Sequence, residues 1–254
     1  MQVRVYNILI GGAAGQGIDT TVDILEKLLK KSGYYVYTTR DFMSRIRGGH
    51  NFSVLRFGTD IITSHRDKLD GIIALNDETV EIHKSKLNKN GFILCDSSLS
   101  TKDSQAIKLS MDTMAKEIGN QRVTGSIAVG AILKIFGERL DYIEETMKTS
   151  VKEEHVEINL KAITAGYNSV EEKFPHLEGK YSKWMILSGN KALALGAIAA
   201  GLKFYSAYPM SPSTAIMEYL ASKSIQAEIV VEQAEDESLL STWLLELHLQ
   251  VLVL

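Results

Sequence analysis

Three short stretches of this 254-residue chain bring together residue types that could do chemistry. The first, Gly12-Ala13-Ala14-Gly15-Gln16-Gly17, lies between a strand-like run and a helical one. Backbone N–H groups at such a turn point outward with the positive end of the helix dipole behind them, so the turn suits a phosphate or carboxylate. Gly12, Gly15, Gln16 and Gly17 are its candidate anion- or cofactor-loop residues. The spacing is G-x-x-G-x-G, not the G-x-G-x-x-G dinucleotide fingerprint, although Arg40-Asp41 stands roughly where a ribose-binding acid is expected. The same glycines would equally serve a tight turn with close helix–strand packing. The second stretch is Tyr208-Pro209-Met210-Ser211-Pro212-Ser213-Thr214. Two prolines stiffen it, and its hydroxyls at a helix N-terminus fit an anionic substrate group or simply cap the helix. The third holds Glu232, Glu235 and Glu237, which by themselves read as a solvated first helical turn favoured by the dipole.

These stretches need elements to hold them. Residues 3–10 predict a strand, residues 18–31 a helix with Ile18, Val22, Leu25 and Leu29 on one face, and residues 34–39 a second strand, a βαβ unit in outline. A turn with two arginines, Ser44-Arg45-Ile46-Arg47-Gly48-Gly49-His50, precedes a strand over residues 51–57. Arg47, Gly48 and Gly49 join the loop candidates. Further short strands are expected at 70–75 and 91–95, separated by a polar helix near 78–87. From about 111 to 174 the pattern is helical and would cover one side of the sheet. The polar stretch 173–180 marks a domain boundary. Beyond it a second α/β pattern runs through a strand at 184–187, an alanine-rich helix at 191–200, a strand at 204–207, a helix starting at Ser211-Pro212 and a strand at 229–232.

Composition narrows the function classes. A hydrophobic fraction of 45% and a charged fraction of 23% can bury a core. A net charge of −3 leaves no electrostatic footprint for nucleic acid. No apolar run reaches the roughly 20 residues that span a bilayer, and no leader pattern opens the chain, so a cytoplasmic protein without membrane contact is expected. The single cysteine, Cys95, excludes an internal disulfide and a four-thiolate iron–sulfur site within the chain. No metal ligands are expected.

The glycine loop together with Arg45-Ile46-Arg47-Gly48-Gly49-His50-Asn51 resembles the gamma domain of 2-oxoacid:ferredoxin oxidoreductases, over about residues 1 to 175. The Tyr208 stretch resembles the Tyr-Pro-Ile-Thr-Pro-Ser motif that opens the alpha domain of the same enzymes, with Ser211 in place of threonine. The resemblance implies a fused gamma/alpha subunit of α/β class. Residues 1–178 would form a gamma domain with a mixed or parallel sheet and flanking helices. Residues 181–254 would begin a thiamine diphosphate pyrimidine-binding domain. It implies that Tyr208, Pro209 and Ser211 contact a 2-oxo acid and that Glu237, with Glu232 and Glu235 as competitors, activates thiamine diphosphate as its catalytic carboxylate. A separate beta subunit would share the cofactor and its Mg²⁺ and carry an iron–sulfur cluster. The complex would decarboxylate the 2-oxo acid, transfer the acyl group to coenzyme A and reduce ferredoxin, while the isolated chain stays inactive. The reading from another class is a nucleotide- or CoA-binding α/β module without redox chemistry.

From Ser238 onward the composition changes abruptly, with eight leucines among the last seventeen residues. Codons can be chosen for this stretch that, with one base restored near Glu237, encode the small-residue helix the resemblance implies. A one-base deletion is therefore the expected origin of residues 238–254, and the coding DNA would test it.

Overall fold

The structure is a computed structural model describing residues 4–42, 49–211, 213–236 and 238. The expected roles of Arg47, Gly48, Glu237 and the leucine-rich tail beyond Ser238 therefore lie outside the described residues. The chain divides into two compact units, Met1–Trp184 and Met185–Leu254.

The first unit is built on a six-stranded mixed sheet. Its strands are β1 (Val5–Ala13), β2 (Tyr35–Phe42), β3 (His50–Gly58), β4 (Leu69–Ala74), β5 (Leu87–Asp96) and β6 (Ala106–Leu109). Their order across the sheet is β2-β3-β1-β4-β5-β6. β1 is central because its apolar run serves both faces. Ile8 and Ile10 enter the large core on one side and Leu9 the smaller core on the other. β4, β5 and β6 follow β1 in parallel, whereas β3 pairs antiparallel with both β1 and β2.

This arrangement refines the expected βαβ unit. β1 and β2 are parallel and joined by α1 (Ile18–Lys31), yet β3 follows β2 in the chain and inserts between them. Helix α1 forms where its periodicity places it: Ile18, Val22, Leu25 and Leu29 are buried along one face. Gly33, with φ near 85°, ends it, and a Cβ there would lie 2.9 Å from the backbone of Gly179.

On the α1 face lie α3 (Met111–Ile118), α4 (Thr124–Ile135), α5 (Ile143–Ser150) and α6 (Val156–Tyr167). α4 is buried almost all round, and α6 approaches it through paired glycines. A Cβ on Gly130 would fall 1.9 Å from the Ile163 carbonyl, and one on Gly166 would fall 1.9 Å from that of Ile127. Tyr6, Phe57, Phe92, Phe136 and Phe174 meet in the core between this layer and the sheet, Phe136 and Phe174 stacked and the other pairs tilted or edge-on. The other face carries α2 (Asp77–His83), capped by Asn76, whose side chain accepts the Thr79 N–H at 3.0 Å. Among the described residues, no helix is long and apolar enough to cross a membrane.

The second unit contains α7 (Gly189–Ala199), β7 (Phe204–Ala207), α8 (Ser213–Ala227) and β8 (Val230–Gln233). β7 and β8 pair in parallel, joined by α8, around Ala194, Leu220 and Ile229. The strand expected at 184–187 is instead irregular chain, with Met185 73% exposed. Its apolar run has no ladder to join, and the Trp184 ring packs edge-on against Tyr181 and Tyr35.

Candidate functional site

In the second unit, parallel pairing sets the candidate residues. Ser206 lies opposite Glu232 and Ala207 opposite Gln233, and the Ala234 N–H continues the ladder to the Ala207 carbonyl at 3.1 Å. The Tyr208-Pro209-Met210-Ser211 turn and the Ala234-Glu235-Asp236 turn therefore leave the sheet side by side at the carboxyl ends of adjacent strands. Ligands of parallel α/β sheets collect at that edge. Tyr208, Pro209 and Ser211 are exposed there, as are Glu232 and Glu235. The Ser213 hydroxyl turns inward, donating to the carbonyls of Met210 at 2.6 Å and Tyr208 at 3.1 Å, so it holds the turn together. α8 begins at Ser213, two residues later than the proline pattern predicts.

In the first unit the glycine loop is shaped by its own glutamine. Gly15 and Gly17 take φ near 89° and 80°, a conformation that favours glycine. Gln16 Oε1 accepts the Ala13 N–H at 2.6 Å, and its Nε2 donates to the Leu75 carbonyl at 3.1 Å. Gly12 is required beneath it, because a Cβ there would stand 2.5 Å from Gln16 Oε1. The Gln16 amide thus bridges the ends of β1 and β4. That is the point where the sheet's crossovers diverge, α1 running toward β2 and α2 toward β5. Gly49, with φ near 77°, is exposed just before β3.

Beside the loop a cavity of about 530 Å³ opens at the carboxyl ends of β1, β4 and β5. Gly15 and Gly17, Leu75, Asp96 and the first residues of α3 and α4 line it. Burial pushes the Asp96 carboxyl up, but N–H donation from Asp112 and Ser98 at 2.9 and 2.8 Å outweighs it and holds the group below the usual carboxylate range. Asp96 therefore occupies the N-terminus of α3. The position of Asp96 at a strand end was a usable sequence signal; Arg122 and Thr21, which also line the cavity, carry none.

Two further clusters of titratable groups are buried. His50 on β3 and His83 on α2 meet Nε2 to Nε2 at 2.8 Å, each 2% exposed. On the other side of the sheet Tyr34 donates to Glu138 Oε1, and His176 Nδ1 lies 3.0 Å from the same oxygen. The Leu177 N–H donates to the Tyr34 oxygen at 3.2 Å, pinning the chain end of the unit. Burial pushes the Glu138 carboxyl up, and burial with the Glu138 contact pushes the Tyr34 phenol up. Cys95 is buried and its thiol is pushed up, the opposite of a reactive thiolate. Among the described residues no group of three metal-ligating side chains converges.

A mixed sheet with a glycine loop at its switch point, followed by a parallel strand pair carrying Tyr-Pro and acidic turns, defines a two-unit α/β protein. The family model for pyruvate ferredoxin/flavodoxin oxidoreductase matches residues 7–169, and the chain belongs to that family. The alpha subunit of a 2-oxoacid:ferredoxin oxidoreductase from Sulfolobus sp. is 26% identical, aligning with 90% of this chain and 46% of its own length. The 2-oxoglutarate:ferredoxin oxidoreductase of Magnetococcus marinus, solved with 2-oxoglutarate, coenzyme A and succinyl-CoA bound, superposes with a TM-score of 0.82. It is 26% identical, and the match covers 93% of this chain and 44% of that one. The gamma subunit of a keto/oxoacid ferredoxin oxidoreductase from Geobacter sulfurreducens superposes with a TM-score of 0.57 at 25% identity. That match covers 66% of this chain and 97% of the subunit. The chain thus spans less than half the length of its alpha-subunit relative. These likenesses favour the oxidoreductase reading over a free-standing nucleotide- or CoA-binding module.

Proposed function

We propose that the chain serves as a gamma/alpha subunit of a 2-oxoacid:ferredoxin oxidoreductase, which oxidatively decarboxylates a 2-oxo acid to its acyl-CoA and reduces ferredoxin. On this reading residues 1–178 are the gamma domain and residues 181–254 belong to the thiamine-pyrimidine-type domain. The observation that carries it is the Ala234 N–H bond to the Ala207 carbonyl, which sets the Tyr-Pro turn and the acidic turn at one edge of the parallel pair. Support also comes from the coverage of the Geobacter gamma subunit by this chain and from the ligands of the Magnetococcus enzyme.

The residues present fit the cofactor. The aminopyrimidine of thiamine diphosphate needs a carboxylate partner, and exposed acids leave β8 beside the exposed Tyr208 turn. When bound, thiamine diphosphate supplies the carbon nucleophile and the electron sink for decarboxylation. Glu237, or failing it Glu232 or Glu235, would hold a proton at the pyrimidine nitrogen. Ser211 would donate its hydroxyl to the substrate carboxylate, with Tyr208 and Pro209 shaping the wall around it. The diphosphate, its Mg²⁺ and an iron–sulfur cluster are assigned to a beta subunit, the partner this reading requires.

Co-expression with a beta subunit of this family, followed by assay of 2-oxo-acid-dependent ferredoxin reduction with coenzyme A, tests the proposal. Turnover should need both chains. Acyl-CoA formation by the chain alone, or failure of the two chains to co-purify, would overturn it.

A further inference from the structure

The two faces of the first sheet are covered unequally. Four long helices and α3 lie on one face, whereas on the other α2 lies over β1 and β4 only. Over β2 and β3 the chain between β3 and β4 takes the place of a helix. Strand alternation sets what faces it. Arg40 turns to α1, where it pairs with Asp19, Asp23 and Glu26, so its neighbours Thr39 and Asp41 point the other way, opposite Val54 and Phe52.

A cavity of about 280 Å³ lies beneath that connection. Its floor is apolar: Leu9 and Leu69 are buried, and Phe52 and Val54 pack against the same small core. The Phe52 ring is held by two others, 5.5 Å from the His50 ring and 4.6 Å from that of His83. The connection is held too. The buried Asn7 amide donates to the carbonyls of Arg66 and Lys68, both at 2.8 Å, which fixes the chain that carries Arg66 and Asp67 at the rim. Lys86, half-buried at the end of the single-turn helix Lys84–Lys86, completes the lining. Arg66 and Lys86 are positive, Asp41 and Asp67 negative, and none of the four makes an ion pair with a described residue. An anion would leave the acids unmatched and a cation the bases; a ligand carrying both charges matches both.

We propose that this cavity binds an apolar α-amino acid, with its carboxylate on Arg66 and Lys86, its ammonium on Asp41 and its side chain over Phe52 and Val54. The planar guanidinium fork matches a carboxylate, and charge-assisted hydrogen bonds at both ends fix the orientation. The volume, just under the roughly 300–1,000 Å³ of larger small-molecule sites, suits a compact ligand. The inference is independent of the oxidoreductase reading, since it uses no residue of the second unit and none of the glycine loop.

Isothermal titration of the full chain with L-leucine and L-phenylalanine, each beside its analogue lacking the amino group and its analogue lacking the carboxyl group, tests it. At least one amino acid should bind saturably, and both of its analogues should bind about tenfold or more weakly. Arg66→Gln and Asp41→Asn change exposed rim residues. Each should weaken the amino acid by about tenfold or more, without changing the circular dichroism or the melting temperature. Three results would each overturn the proposal: binding of neither amino acid, an analogue binding as tightly as its parent, or unchanged affinity in either variant. The first two are read on the wild-type chain and do not depend on how the variants fold.

Discussion

His50 on β3 and His83 on α2 face each other Nε2 to Nε2 at 2.8 Å inside the smaller layer of the first unit. One ring must donate and the other accept, so the accepting ring must be neutral and the contact is lost once both rings carry a proton on each nitrogen. Burial, reinforced by the neighbouring His50 and Lys86, pushes His83 down to about 4, and burial lowers His50 as well. Because the folded value lies below the unfolded one, the contribution is complete above about pH 6.5 and is lost as pH falls toward 4. Urea titrations between pH 7 and 4 should show wild type losing up to about 3 kcal/mol relative to His83→Gln, given roughly 1.4 kcal/mol per unit. Parallel pH curves for the two proteins would refute the assignment.

Tyr34, Glu138 and His176 form the second buried cluster, and Tyr34 also receives the Leu177 N–H. Tyr34→Phe leaves a buried carboxylate and a backbone donor each short of a partner. It should cost about 2 kcal/mol in chemical denaturation. A stability within 0.5 kcal/mol of wild type, by the usual spread of neutral surface changes, would contradict this account.

The glycines of the α4–α6 contact should be intolerant. Gly130→Ala or Gly166→Ala puts a methyl 1.9 Å from a facing carbonyl oxygen, a backbone clash that side-chain rotation cannot relieve. A loss of about 3 kcal/mol or more, seen as a lower urea midpoint or insoluble expression, is expected. Gly196→Ala in α7 is the contrast, because nothing lies within 4 Å of its Cβ position. It should stabilise by about 0.4–1 kcal/mol.

In the assembled enzyme Ser211→Ala should raise the KM for the 2-oxo acid about tenfold or more, and Ser211→Thr should restore it. Glu237→Gln should lower kcat about 10²–10⁴-fold while substrate binding persists. If Glu235→Gln carries that loss and Glu237→Gln does not, the carboxylate role moves to Glu235.

Local signals in the sequence were legible and long-range ones were not. Ile18, Val22, Leu25 and Leu29 mark α1 to the residue, because burial of a helical face repeats every turn. Tyr208 to Ser211 was legible because proline and hydroxyl residues have local meanings. β6 was missed: Ala106-Ile107-Lys108-Leu109 is short, and only its pairing with β5 makes it a strand. The insertion of β3 between β1 and β2 rests on pairings across the whole strand length, which no local pattern encodes. The same holds for Gln16. Its loop was visible, but its bond to the Leu75 carbonyl, 59 positions along the chain, was not.

The closing segment of the first unit bears on how the protein is made. Tyr181 donates its N–H to the Gly33 carbonyl at 2.7 Å, and Gly179 lies against Gly33 itself. At about 5–20 residues per second, a ribosome adds Tyr181 roughly 7–30 seconds after Gly33. Through that interval the turn after α1 lacks the strand of chain that covers it. A nascent chain therefore holds every strand of the six-stranded sheet before it can cover the turn after α1, and that turn is the place a chaperone or protease would meet it unfinished.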